Sequence, residues 1–83
     1  MRAEALLPDH LDHGDFNGVV VRKGTVGAFL HNARVFTDPA ASAEDRMVAE
    51  RDIAEAVPAL HALGLFDVLQ IRDEQLRAFV DTH

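Results

Sequence analysis

Hydrophobic and polar positions along the 83 residues change their period several times, and each change marks an element. Residues 16 to 23, FNGVVVRK, hold three consecutive valines between glycine and charge, a β-branched run that predicts a short strand. Gly24 and Thr25 punctuate it. From Val26 onward the apolar residues Val26, Phe29, Leu30, Ala33 and Phe36 recur at helical spacing. A helix therefore follows the strand, with Thr25 placed to cap its first turn. Pro39 pushes the preceding Asp38 out of the helical region and closes that helix within TDPAAS.

A long helix comes next, opened by Ser42 with Asp45 three residues later as a capping pair. Ala49, Ile53, Ala56, Val57, Leu60 and Leu63 form its apolar stripe, and acids and arginines fill the rest of its surface. Pro58 removes the donor to the Ala54 carbonyl, which predicts a kink or a split, convex to solvent because Pro58 lies roughly opposite Ile53. Gly64 reads as the left-handed residue that stops the helix. In LFDVLQIR, residues 65 to 72, Leu65, Leu69 and Ile71 alternate with Phe66 and Val68, which predicts a strand covered on both faces, with a helical segment as the alternative. Asp73 can cap a last helix running to about Thr82, with Leu76, Phe79 and Val80 on its buried side and Asp73–Arg77 and Arg77–Asp81 as i,i+4 pairs outside.

The expected fold is a small, helix-rich α+β single domain over residues 1–83, with residues 1–15 a candidate mobile N-terminal segment. Two or three short strands pack against a strand-following helix, a long Pro-kinked helix and a C-terminal helix. Two strands cannot cover their own faces, so a third is expected either from residues 3 to 7 or from a second copy of the chain. A homodimer is the expectation.

Composition narrows the classes of function. At 48% hydrophobic and 27% charged residues the chain is that of an ordered domain. It has no cysteine, which removes disulfide support and thiol chemistry and fits a reducing, cytoplasmic setting. The residues before Pro8 are too few for a signal-peptide core, and no apolar run reaches the roughly 20 residues needed to span a bilayer. The net charge of −6 is uneven: residues 19–37 carry Arg22, Lys23 and Arg34 with no acid, while both flanks are acidic. One short basic island in an acidic chain excludes general nucleic-acid binding, and with five phenylalanines but no Trp or Tyr there is no evident stacking platform for bases.

Two places can carry chemistry. In PDHLDHGD, residues 8 to 15, His10 and His13 are three apart, and Asp9, Asp12 and Asp15 stand beside them as oxygen donors, a set suited to zinc, manganese or non-haem iron if a further ligand joins. The plainer alternative is an acidic loop in which Asp9 caps one turn, Gly14 ends it and the histidines face water. In RKGTVG, residues 22 to 27, a strand runs into a glycine turn and a helix start, so Arg22, Lys23, Gly24, Thr25 and Gly27 form a candidate phosphate or carboxylate site. Lys23 precedes Gly24 here, the reverse of a phosphate-binding P-loop, and the middle of GTVG carries no positive charge, unlike the GxxG clamp of KH domains. A tight turn with a cap explains the same residues. Ser42, the single serine, is spent on a helix cap, and His31 and His61 border apolar stripes, so no catalytic residue and no cofactor is implied.

ALLPDHLDHGDFNGVVVRKGTVGAFL, residues 5 to 30, together with LGLFDVLQIRD, residues 63 to 73, resembles segments of a group of very short bacterial proteins of unknown function. The resemblance implies a single small bacterial cytoplasmic domain and assigns no activity and no functional residue. Three classes of function follow, in order: a non-catalytic interaction or accessory module that self-associates, a small-anion binding protein using the Lys23–Gly27 helix start, and a metal-dependent site at His10 and His13.

Overall fold

Where the valine run begins decides the first half of the fold. The computed structural model describes residues 1–7 and 10–83. A short helix α1 (Ala3–Leu6) is followed by strands β1 (His13–Phe16) and β2 (Val19–Arg22), then helices α2 (Thr25–Thr37), α3 (Ala43–Leu63), α4 (Leu65–Val68) and α5 (Glu74–Asp81). The small, helix-rich α+β fold is as expected.

The expected strand over residues 16 to 23 is in fact the end of a hairpin. Asn17 and Gly18 both have positive φ, 52° and 83°, which is the paired left-handed geometry of a two-residue turn matched to strand twist. Phe16 therefore pairs back onto Val19, and Asp15, Gly14 and His13 face Val20, Val21 and Arg22. The ladder runs one step further, with the Lys23 N–H donating to the Asp12 carbonyl at 2.6 Å. Gly14 thus lies within β1 and ends no turn. A side chain there would meet the Phe16 ring at 3.1 Å and Leu7 at 3.3 Å, so the glycine lets Phe16 fold across the strand. The Asp9 cap falls outside the described residues.

Residues 3 to 7 add no third strand. They form α1, and the sheet stays two-stranded among the described residues. Asn17 secures the hairpin to the rest of the molecule: its side-chain amide donates to the Ala62 carbonyl at 2.8 Å, one of the carbonyls that the end of α3 leaves without a helical donor.

Gly24, left-handed at φ 90°, precedes α2, and Thr25 is already its first residue. The Thr25 hydroxyl does not accept from the helix as expected. It donates backward to the Arg22 carbonyl at 2.6 Å, closing the turn from the strand side. The second connection follows the expected rules: Ser42 Oγ accepts from the Asp45 N–H at 3.0 Å, and Arg46 donates to the Asp38 carbonyl at 2.8 Å, fastening the Pro39 turn onto α3. α3 then runs through Pro58 without interruption to Gly64, whose φ of 80° stops it. Pro58 is exposed, so its missing donor lies on the solvent side.

Residues 65 to 72 do not form the expected strand. A lone strand would leave its backbone groups unpaired, whereas the short helix α4 satisfies them locally through Asp67 N–H to Gly64 and Leu69 N–H to Leu65. It also turns Leu65 and Phe66 toward the core together, which alternation would forbid. Asp73 caps α5 by accepting from the Leu76 N–H at 2.8 Å, while Arg77 reaches the Ile71 carbonyl at 2.9 Å and ties the connector to α5.

The core forms where the helices meet. Phe29, Ile53, Val57, Leu60, Leu76 and Val80 are buried together, and Phe66 meets Phe29 edge-to-face with ring centroids 6.0 Å apart. Because Ile53 has no exposure, Ile53→Ala is expected to destabilise the fold by about 2–5 kcal/mol in urea denaturation. Asn17→Gly keeps the left-handed turn but removes the bond to Ala62. Its expected cost is about 1 kcal/mol, read in the same denaturation experiment, and an unchanged midpoint would show that the bond contributes nothing.

Candidate functional site

The histidine and aspartate cluster is built into the start of the hairpin. His13 Nδ1 lies 2.7 Å from Asp12 Oδ1, with both side chains largely exposed, and Asp15 Oδ1 accepts from the Gly18 N–H at 3.1 Å. Two of the oxygen donors therefore already serve the turn and the neighbouring imidazole. His10 is exposed, Asp9 lies outside the described residues, and among the described residues no three His, Cys, Asp or Glu side chains converge as a metal site. The Asp12 carboxyl is held below its ordinary value, first by the hydrogen bond from His13, then by the charge of that imidazole, with a smaller contribution from Arg22.

Arg22, Lys23, Gly24, Thr25 and Gly27 come together as the turn geometry requires, but what they border is apolar. They line the mouth of a cavity of about 300 Å³ whose remaining walls include Leu6, Leu7, Phe16, Val21 and Leu63. No side chain caps α2, and the Thr25 hydroxyl points back to the strand. The start of α2 thus lies beside a cavity whose other walls are largely apolar.

Val26 lines both this cavity and a second one of similar volume. Phe29, Leu30 and Ala33 form one wall of the second, and Leu65, Leu69 and Ile71 form the other, with Gln70 as the polar group. Leu30 is 52% exposed, and Val68 and Leu69 beside the groove are 84% and 59% exposed. This surface was missed in the sequence, where Leu30 counts as a core position of its helix. One signal lies in residues 65–69, where a helix as short as α4 cannot turn Val68 and Leu69 inward along with Leu65 and Phe66.

The two walls of this groove differ in charge, since α4 carries the exposed Asp67. α2 contains Arg34 and His31 and no acid, within a chain of net charge −6. No helix among the described residues is long and apolar enough to cross a membrane. No family model, no curated protein and no solved structure matches the chain.

The Asp12–His13 contact has a measurable signature. A carboxyl whose folded pKa is lowered contributes stability above its unfolded pKa and loses it as pH falls through the folded value, so any contribution of this pair fades on the acid side. In an NMR titration the Asp12 carboxyl carbon is expected to have a midpoint below 3.8, returning toward that ordinary value in His13→Ala. An unchanged midpoint in the variant would reject the assignment to His13.

Proposed function

We propose that this chain is a non-catalytic interaction module that associates with a second copy of itself through the groove between α2 and α4. The observation that carries the reading is surplus surface. The accessible area is 6035 Å², whereas a folded monomer of 9.1 kDa exposes about 4900 Å². The excess, about 1100 Å², is of the size that one partner covers in a standard interface, about 800 Å².

Two further features favour a second copy as the occupant. A two-fold contact demands a self-complementary patch, and here the groove lies beside its own projections, Leu30 and Val68, so each copy offers both a hollow and the side chains to fill one. Two molecules of charge −6 repel, and α2 is a face on which no carboxylate opposes their approach. A chain without cysteines suits this role in the cytoplasm.

Sedimentation from micromolar to millimolar protein is expected to show a mass rising toward twice 9.1 kDa. Leu30→Glu places a carboxylate beside the groove and is expected to weaken association by at least about tenfold, while the exposed position leaves the fold intact by circular dichroism. A strictly monomeric wild-type chain at the highest concentration overturns the proposal.

A further inference from the structure

The hairpin phase determines which backbone groups of β2 remain unused. In a two-residue hairpin Phe16 and Val19 exchange hydrogen bonds, and alternation makes Gly14 and Val21 the next bonded pair. The bond from the Lys23 N–H to the Asp12 carbonyl continues that phase. Val20 and Arg22 consequently turn their backbone groups away from β1. The Arg22 carbonyl accepts from the Thr25 hydroxyl, and among the described residues no strand lies beside the Arg22 N–H or the two backbone groups of Val20.

Val20 and Arg22 are among the residues that line a groove. It measures about 450 Å³ and lies between β2, α2 and α3. Ala28, Phe29, Ala56 and Ala59 are its apolar lining, small side chains except for Phe29, and Asp52 and Glu55 stand on its α3 wall. Glu55 is exposed, and Asp52 lies 3.6 Å from Arg51 in a half-exposed pair of the kind that contributes little. Val20, 63% exposed, adds a β-branched side chain for cross-strand contact, and no proline blocks β2.

We propose that the outer edge of β2 accepts an extended segment of a partner protein as a third strand, and that this segment directs a lysine or arginine toward Asp52 and Glu55. Main-chain hydrogen bonds supply affinity that tolerates sequence, and the acidic wall selects a basic segment over an acidic one. Arg22, on the edge itself, repels a cation held beside the strand and so favours the α3 wall. This surface is separate from the α2–α4 groove, so one copy can engage a second copy and a partner segment at the same time.

The probe is a capped synthetic peptide alternating valine or threonine with lysine, compared with a matched peptide carrying glutamate for lysine, each titrated into isotopically labelled protein. Saturable shifts are expected at the Val20 and Arg22 amides, with slowed exchange of the Val20 amide and markedly weaker binding of the glutamate peptide. The double variant Asp52→Lys/Glu55→Lys is expected to weaken the lysine peptide by roughly tenfold. Val20→Pro, which removes the outward N–H, is expected to abolish binding. If that variant unfolds, the charge-reversal pair decides. The same shifts in Leu30→Glu would show that binding is independent of self-association. The proposal is overturned by the absence of shifts at millimolar peptide, by equal binding of the two peptides, or by shifts centred on Leu30 and Leu69. It is also overturned if the edge amides of the free protein become protected as its concentration rises, because a second copy then fills the edge.

Discussion

The stripe of Ala49, Ile53, Val57 and Leu60 on α3 is what the remaining elements close upon. α2, α4, α5 and both strands touch this helix, and no residue of Ile53 or Leu60 surface is left to solvent. A helix of 21 residues is about 32 Å long at 1.5 Å rise per residue, and the molecule is 37 Å in its longest dimension. The shape of the protein is thus largely the length of α3, with shorter elements leaning along it. Such a shape cannot enclose its partners evenly. The radius of gyration, 13.5 Å, exceeds the about 11.8 Å expected for a compact chain of this length, and the difference reappears as the uncovered flank of α2.

How much of this was legible in the sequence depends on how local the determining physics is. The Ser42 and Asp73 caps and the Gly64 stop lie within a few residues of what they satisfy, and all three were readable. So was the stripe of α3, because its period holds over many turns. The hairpin was hidden in plain view: Asn17-Gly18 is a strong turn signal, but reading Phe16 to Lys23 as one strand absorbed it. Residues 65 to 72 were ambiguous because eight residues are too few to separate alternation from a single helical turn. What separates them is which backbone groups are bonded, here Asp67 N–H to Gly64 and Leu69 N–H to Leu65, which periodicity does not contain.

The candidate sites divide along the same line. Residue type and spacing brought out His10, His13 and the glycine turn, which are features of neighbouring residues. The grooves depend instead on how the elements around α2 are placed, and hydropathy records that Leu30 is apolar without recording whether anything covers it. The acid-free stretch from residue 19 to 37 was visible at once as a charge pattern. Its meaning changed once the fold was known: it runs from the outer edge of β2 along α2, where Val20 and Leu30 are exposed.

The bond between Asn17 and Ala62 also bears on cooperativity. The central cluster draws its buried residues from α2, α3 and α5 and includes none from the hairpin, where Val21 alone is fully buried. Lifting β1 and β2 away would break the Asn17–Ala62 bond and uncover Val21, whereas the six buried residues of the helical cluster would keep one another as neighbours. The molecule is thereby divided into two tiers of stability, a helical body that unfolds as a unit and a hairpin that opens at lower free energy, and the strand edge belongs to the tier that moves first.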